Sequence, residues 1–446
     1  MNNIICCVIL LLITLYPKND KKSIGIKHNL NKLKNGDGDM TQQIETYGNL
    51  ITKYAKNNYR KCFREPEGYL KHRFIVPGSC YDNSLWDWDS WLTNLALRKI
   101  TESEDIGSYE KGCILNFLDH VDDAGRTPIY ITPEFRALKS HRSMTEQNIH
   151  KPCLAQHALF ISEQNHDAEW LRDHFKLIER YLSWYDTYAY HESGLYFWIN
   201  DSAIGVDNDP CTFYRPANSS ASIYLNCLMY QELLATAKLA ELFGLPTEKS
   251  FYEDKASLLK DAIQEHCWDE RDGFFYSVDI NLLPVDPTQK LHSGCPRHWS
   301  TLIQRIGVWS GFLAMWAEIA TPQQAERMVK EHYRNEKTFH APYGVRTLSK
   351  MEKMYAIVKS GNPSCWLGPI WGISNYMVFD GLRKYGYADD AKRLAEKTVT
   401  LFGRDLEECG ELHEYYDPES GAPINNPGFQ NWNLLSLNML EWLKAL

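Results

Sequence analysis

Acidic residues stand beside tryptophan or tyrosine in residues 81–89, YDNSLWDWD, just before an apolar stretch. An aspartate at a helix start is a common cap, but capping does not explain why Trp86 and Trp88 alternate with two carboxylates. Aromatic rings next to hydrogen-bond acceptors suit a sugar, whose C–H faces stack on rings while its hydroxyls donate to carboxylates. We therefore take this cluster, from Tyr81 to Asp89, as a candidate sugar-binding segment.

Two further carboxylates lie in turn-rich loops. Asp207 stands in residues 205–210, GVDNDP, where an Asx-turn would explain it as well as a functional role does. Glu414 stands in residues 410–421, GELHEYYDPESG, ahead of a turn signal and among aromatic neighbours. Glycoside cleavage needs two carboxylates across the bond, one that donates a proton and one that activates water or attacks. Asp207 and Glu414 meet this need if the fold brings their loops to one cleft.

Other common chemistries lack their sequence signatures. The chain has no G-x-S-x-G elbow, phosphate-binding loop, dinucleotide fingerprint or H-E-x-x-H motif. Its 12 cysteines include no C-x-x-C pair and no Cys/His cluster at zinc spacing, so we expect no metal site and mostly reduced thiols, with a disulfide framework as the alternative. A net charge of −9 without a basic stripe argues against a nucleic-acid partner.

The elements that must position these residues are helices. From residue 41 the pattern alternates helices with loops and shows no fixed repeat period, which disfavours a repeat array. The predicted helices are Gln42–Tyr59, Trp86–Arg98, Tyr109–Phe117, Leu154–Glu163, Ala168–Tyr188, Ser219–Phe243, Glu248–His266, Gln304–Ala320, Pro322–Arg334, Ile370–Tyr385, Asp389–Phe402 and Trp432–Leu446.

Twelve helices in hairpin-like succession predict an all-α fold, an (α/α)6 barrel, which is a toroid of six helical hairpins with long loops forming the cleft. Four long loops, 78–90, 189–218, 335–369 and 406–431, hold nearly all the unusual residue clusters.

We expect one catalytic domain over residues 41–446, preceded by an apolar leader and a disordered lead-in over residues 1–40. The apolar run Ile4–Tyr16 is too short for a membrane span. It has the length of a signal-peptide core but lacks a basic start and a clean cleavage site. We therefore expect a cytoplasmic protein, with secretion as the alternative.

Five motifs in order resemble glycoside hydrolase family 63 and, more loosely, the trehalases of family 37. Residues 85–89 look like the family's W-x-W-D segment, and residues 205–210 look like its G-x-D-N-S-P loop. Residues 366–371, WLGPIW, resemble W-x-G-P-x-W. Residues 413–418, HEYYDP, and 429–432, FQNW, resemble its E-Y-Y-x-P and Q-x-W elements.

This resemblance implies an inverting glycosidase with Asp207 as general acid and Glu414 as general base, about 6.5–9.5 Å apart with a water between them. It implies that Asp89, with Trp88, contacts the sugar in the glycone subsite. The positions that match the family's wall and base-side contacts are Trp366, Trp371 and Gln430.

The modest length and the two tyrosines after Glu414 look most like the mannosylglycerate and glucosylglycerate hydrolases. These enzymes cleave an α-linked hexose from glycerate without a metal or an organic cofactor. A glycerate carboxylate needs a cation, which we expect Lys151 or Arg215 to supply, unless both are surface charges. The chain departs from the family at Asp209, where serine is usual, and at Cys211, where arginine is frequent. The extra carboxylate of Asp209 is expected either to raise the pKa of Asp207 or to alter substrate preference.

Two other functions remain open at this point. The first is a trehalase-like or α-glucosidase activity on a disaccharide or glycan end. The second is a non-catalytic sugar-binding barrel, which is disfavoured because both catalytic positions carry carboxylates. In each case the expected partner is a small glycoside, with no nucleic acid, no membrane and a possible homo-oligomer.

Overall fold

Twelve α-helices carry most of the regular structure in the computed structural model, which describes residues 37–135, 147–213, 215–282, 299–357 and 364–446. The contacts below lie in one compact unit, Gln43–Leu446. Most of the predicted leader and lead-in, residues 1–36, lies outside the described residues. The helices are α1 (Asp37–Asn58), α2 (Asp87–Leu97), α3 (Ser103–Leu118), α4 (Leu154–Asn165), α5 (Phe175–Tyr188), α6 (Ile223–Leu242), α7 (Pro246–Cys267), α8 (Leu313–Trp316), α9 (Pro322–Arg327), α10 (Gly372–Lys384), α11 (Ala388–Cys409) and α12 (Ser436–Lys444).

The even-numbered helices form a closed inner ring. In order, α2, α4, α6, α8 and α10 each contact the next helix, α10 contacts α12 and the 3₁₀ turn Asn431–Leu435 before it, and these contact α2 again. Odd-numbered helices pack outside, with α7 against α6 and α11 against α10. Helix α6 is buried on nearly every side, whereas α11 buries one stripe, as inner and outer helices of a barrel should. The predicted (α/α)6 barrel is confirmed.

Cap residues predicted the ends of several helices correctly. One buried segment that contains glycines was wrongly predicted to be a helix. Thr321 accepts a hydrogen bond from the Gln324 backbone N–H at 3.2 Å, and Pro322 begins α9 as expected. The helix predicted over Gln304–Ala320 is wrong, because only Leu313–Trp316 is α-helical there. Its first part is extended, and the backbone N–H of Gln304 binds the carbonyl of Ser277.

The described ranges contain fourteen two-residue strands, which pair loop segments with one another. Alternation over two residues is too short to be predicted from sequence. The strands are β1 (Phe63–Arg64), β2 (Phe74–Ile75), β3 (Leu85–Trp86), β4 (Tyr130–Ile131), β5 (Ser220–Ala221), β6 (Trp268–Asp269), β7 (Phe274–Phe275), β8 (Val278–Asp279), β9 (Leu302–Ile303), β10 (His340–Ala341), β11 (Gly344–Val345), β12 (Ile370–Trp371), β13 (Tyr415–Tyr416) and β14 (Pro423–Ile424).

Two of these small antiparallel sheets matter for the site. In the first, β3 pairs with β4, so Trp86 lies opposite Tyr130. In the second, β13 lies between β12 and β14, with Trp371 opposite Tyr415. The second sheet therefore connects the segment before α10 to the hairpin that follows Glu414.

The cysteines in the described ranges are free thiols, nine in number, and seven of them are buried. This agrees with the expectation of reduced thiols for that part of the chain. Within the same ranges, no helix combines the length and the apolar character needed to cross a bilayer.

The loop around Asp207, described over residues 199–213, rests directly on the inner ring. Gly205 has φ +89°, and a Cβ atom there would lie 2.6 Å from Cζ2 of Trp88 and 2.7 Å from Cε of Lys151. Only glycine allows both this backbone conformation and this close approach. The position of Asp207, two residues later, depends on that contact.

Replacing Gly205 with alanine is expected to destabilise the protein by about 2–5 kcal/mol, since a left-handed penalty adds to overpacking against Trp88. Gly244→Ala is the matched control, because Gly244 has φ +69° and nothing within 4 Å of the added Cβ. It should cost only about 1–2 kcal/mol. Denaturant unfolding measures both variants, and equal losses of stability would contradict the proposed contact.

Candidate active site

One cavity at the loop end of the ring collects most of the predicted site residues. Among the described residues, its lining combines three carboxylates, six aromatic rings, one ammonium group and three small residues, which are Asp89, Asp207, Glu414, Tyr81, Trp86, Trp88, Trp371, Phe429, Trp432, Lys151, Ala203, Gly205 and Ser364. Carboxylates in an aromatic enclosure are the arrangement expected for binding a sugar and cleaving its glycosidic bond.

Glu414 lies immediately before β13 and is buried. Its Oε2 accepts hydrogen bonds from the side-chain amides of Asn425 at 3.1 Å and Asn426 at 2.5 Å. Its Oε1 accepts a longer bond from the Tyr81 hydroxyl at 3.4 Å. Burial raises the pKa of Glu414 to about 7 against the opposing effect of the two amides, and the nearby charge of Asp207 raises it further. The carboxyl can thus exchange a proton near neutral pH.

Asp207 reaches the same cavity from a loop that is fastened to the segment before α10. The Asn208 side chain accepts a bond from the Trp366 backbone N–H at 3.0 Å and donates to the Ser364 carbonyl at 3.3 Å. Asn208 has φ +54°, a conformation that asparagine tolerates better than most residues. The clamp holds Asp207 at the cavity wall.

Neither of the two departures from the family pattern, Asp209 and Cys211, lines the cavity. The Asp209 carboxylate accepts a hydrogen bond from the Cys211 backbone N–H at 2.8 Å, as in an Asx-turn. Cys211 is buried and packs in a small apolar cluster with Val308 and Leu348. The expected effect of Asp209 on Asp207 stays a prediction.

Asp89 lies in the first turn of α2 and is held by the side-chain amide of Asn431, which donates to Oδ1. Burial raises the pKa of Asp89 to about 7, and the positive charge of Lys151 opposes that rise. Its neighbour Trp88 packs edge-on against Trp432, with ring centroids 5.4 Å apart. Asp89 thus offers a buried acceptor at an aromatic wall, as a glycone subsite requires.

Neither of the cations predicted to bind glycerate is unpaired. The Lys151 ammonium lines the cavity but donates to Oδ1 of the buried Asp87 at 2.7 Å, with both side chains almost fully buried. Arg215 is ion-paired with Asp279 and does not line this cavity. The structure therefore brings Lys151 to the site and leaves Arg215 outside it.

Trp366 and Gln430 lie behind the lining rather than in it. The Trp366 ring stacks on Trp371 with centroids 4.0 Å apart and planes at 9°, so it supports the wall that Trp371 presents. Gln430 is buried, and its Nε2 donates to the Asn58 carbonyl at 3.5 Å, the outer limit of a hydrogen bond. Their predicted sugar contacts stay predictions.

Several site residues escaped the sequence analysis. Phe429 and Trp432 flank the predicted Gln430, and their aromatic character was the available signal. Asn425 and Asn426 stand in residues 424–428, INNPG, which look like an ordinary turn. Nothing in that pattern shows that both amides converge on Glu414.

Among the described residues, Asp405, Cys409 and His413 have donor atoms close enough for a metal ion. The Asp405 carboxylate already accepts hydrogen bonds from the His413 backbone N–H at 3.0 Å and from the Tyr416 hydroxyl at 2.8 Å. These bonds anchor both sides of Glu414 to the end of α11. None of the three residues lines the cavity, and their contacts account for a structural role.

Known proteins share both sequence and fold with the chain. A mannosylglycerate hydrolase from Rubrobacter radiotolerans is 28% identical over 203 residues, which are 45% of this chain and 39% of that protein. The cytosolic neutral trehalase of Kluyveromyces lactis is 25% identical over 261 residues, which are 55% of this chain and 31% of the trehalase. The chain spans about a third to a half of the length of such curated relatives.

A family 63 mannosylglycerate hydrolase from Thermus thermophilus, solved with Tris and D-glycerate, superposes with a TM-score of 0.61 at 18% identity. The match covers 88% of this chain and 99% of that one, and it shows a common fold. Residues 81–432 match the family described as the mannosylglycerate hydrolase MGH1-like glycoside hydrolase domain. The chain therefore belongs to this family of glycoside hydrolases.

Proposed function

We propose that the protein is an inverting α-glycosidase that releases a hexose from a small glycoside. The observation that carries this proposal is the convergence of Asp207 and Glu414, from loops about 200 residues apart, on one aromatic-walled cavity. The family membership supports the same reaction class.

In this mechanism Glu414 acts as the general base and Asp207 as the general acid. Glu414 removes a proton from a water molecule, whose oxygen attacks the anomeric carbon as the glycosidic C–O bond breaks. The electron pair of that bond goes to the leaving oxygen, which takes a proton from Asp207. Asp89 accepts hydrogen bonds from sugar hydroxyls. The aromatic wall packs against the sugar ring and excludes water.

The first candidate substrate is mannosylglycerate or glucosylglycerate, the prediction made from the sequence. The family match and the relatives named mannosylglycerate hydrolase support it. Lys151 is the cation in the described lining that could attract a glycerate carboxylate, although Asp87 already neutralises much of its charge.

A neutral disaccharide such as trehalose is the second candidate. The pairing of Lys151 with Asp87 and of Arg215 with Asp279 favours it, because a free carboxylate would meet no unpaired cation among these groups. Three carboxylates in the described lining also disfavour an anionic aglycone. The trehalase relatives agree with this alternative.

A cytoplasmic location and a homo-oligomeric state remain further proposals. The free thiols of the described cysteines suit the reducing conditions of the cytoplasm.

Proton NMR of the protein with α-mannosylglycerate, α-glucosylglycerate and trehalose in separate tubes tests the reaction and the substrate together. The β-anomer of the hexose should appear early in one tube, alone from a glycerate glycoside or with an equal amount of α-glucose from trehalose, because an inverting enzyme converts the cleaved α-linkage to a β-sugar. Asp207→Asn and Glu414→Gln should each lower the rate by about 10²–10⁴-fold. Early α-anomer without β-anomer would contradict inversion, because inverting cleavage of trehalose releases α- and β-glucose in equal amounts. Silence in all three tubes would contradict both substrate proposals.

The pH dependence of kcat/KM should show an acidic limb near pH 7. Glu414 works as a base only when it is ionised, and its pKa is raised to about 7, so activity should fall as the pH drops through that value. Asp89 titrates in the same range, so the limb belongs to both groups. Full activity at pH 5.5 would contradict this assignment.

A further inference from the structure

The hairpin β13–β14 brings two asparagines to the catalytic base. Glu414 immediately precedes β13, while Asn425 and Asn426 immediately follow β14. Antiparallel pairing of the strands continues past their ends, since the Glu414 backbone N–H donates to the Asn425 carbonyl at 3.2 Å. The open end of the hairpin thus holds the carboxylate and both amides side by side.

Both amides bind the same oxygen of the carboxylate. Among the described residues, Asn425 and Asn426 donate to Oε2, whereas Oε1 accepts only the longer bond from Tyr81. Hydrogen bonds from two donors hold Oε2 in one place and fix the orientation of the carboxylate plane. Oε1 is left as the oxygen with acceptor capacity for a water molecule.

The backbone at these two positions favours asparagine over most other residues. Asn425 has φ +62° and Asn426 has φ +41°, in the left-handed region where glycine, asparagine and aspartate are tolerated. Glycine would meet the conformational requirement with less strain but would supply no donor. Two consecutive asparagines satisfy both requirements.

We propose that Asn425 and Asn426 are the positioning residues of the catalytic base: they hold Oε2, so that Oε1 takes the proton from the attacking water. This inference rests on the proposed role of Glu414 as general base. In the step, an O–H bond of water breaks, the proton goes to Oε1, and the water oxygen bonds to the anomeric carbon.

The surroundings of Glu414 explain why such support is needed. Burial and the charge of Asp207 raise its pKa, while the two amides and the Tyr81 hydroxyl lower it. Cys80 and Tyr415 also lie near it; burial raises the pKa of each, and the charge of Glu414 raises it further. The amides are thus the strongest groups in this setting that favour the ionised form of the base.

The test uses Asn425→Gly, Asn426→Gly and the double variant in the full chain. Glycine keeps the left-handed backbone and removes only the amide. Asn218→Gly is the matched control, since Asn218 has φ +57°, is exposed and does not line the cavity. Asn426→Asp, which keeps the size of the side chain but replaces the donor with an acceptor, is a second variant.

The acidic limb of the pH–rate profile should move up by about one pH unit in each glycine variant, because a hydrogen bond that stabilises the charged form is lost. At pH values above the limb, kcat should still fall about 10- to 100-fold with little change in KM, since the carboxylate is no longer oriented. Asn426→Asp should move the limb further, and Asn218→Gly should move nothing.

A second readout does not depend on activity. With glutamate labelled at the side-chain carboxyl carbon, ¹³C NMR follows the titration of Glu414, identified by its loss in Glu414→Gln. Its midpoint should rise in Asn425→Gly and Asn426→Gly but not in Asn218→Gly.

An unchanged midpoint together with an unchanged pH limb would overturn the positioning proposal. A raised midpoint in a protein that hydrolyses none of the glycosides would leave the amide arrangement standing and overturn the proposed function instead.

Discussion

Burial of carboxylates against aromatic rings is the constraint on which the rest of the site depends. Desolvation disfavours an ionised carboxylate, and here Asp89, Asp207 and Glu414 share one cavity, which adds repulsion between like charges. Each carboxylate that must ionise therefore needs donors that the fold supplies in advance. Asn431 donates a hydrogen bond to Asp89, and the two asparagines after β14 donate hydrogen bonds to Glu414.

The helical barrel holds the loops that carry these groups, and without it the loops would not keep the groups together. The buried pair of Lys151 and Asp87 joins the start of α2 to the segment before α4, and Lys151 also counters the desolvation of Asp89. Asp405, near the end of α11, binds the backbone N–H of His413 and the side-chain hydroxyl of Tyr416, on either side of Glu414. Asn208 fastens the Asp207 loop to the segment before α10. Single buried polar side chains thus connect the helices of the inner and outer rings to the loops that carry the catalytic carboxylates.

Much of this arrangement was predictable from the sequence. Helix periodicity and cap residues predicted the number of helices and the barrel. The unusual pairing of tryptophan with acidic residues predicted Trp88 and Asp89 at the site, the tryptophan pair around a Gly-Pro turn predicted Trp371, and all three line the cavity. The helix over Gln304–Ala320 was wrong because its first part is extended and pairs with other loops. Gly311, whose added Cβ would lie 2.3 Å from Phe274, stands in the 3₁₀ turn Trp309–Phe312 that follows. The amide pair after β14 could not be found, since two asparagines before a Pro-Gly turn look the same whether or not their side chains bind a carboxylate. Arg215 was one of two cations expected to bind a glycerate carboxylate, but it does not line the cavity, and sequence does not reveal its pairing with Asp279.

The most direct test of the central claim is the hydrolysis of an α-glycosyl fluoride of the preferred hexose, since fluoride leaves without needing a proton. We predict that Asp207→Asn, which lacks the acid, hydrolyses the fluoride within about tenfold of the unsubstituted protein while its activity on the natural glycoside falls about 10²–10⁴-fold. Glu414→Gln, which lacks the base, should lose activity on both compounds. Fluoride hydrolysis that survives in Glu414→Gln and fails in Asp207→Asn would exchange the two roles and contradict the proposed mechanism.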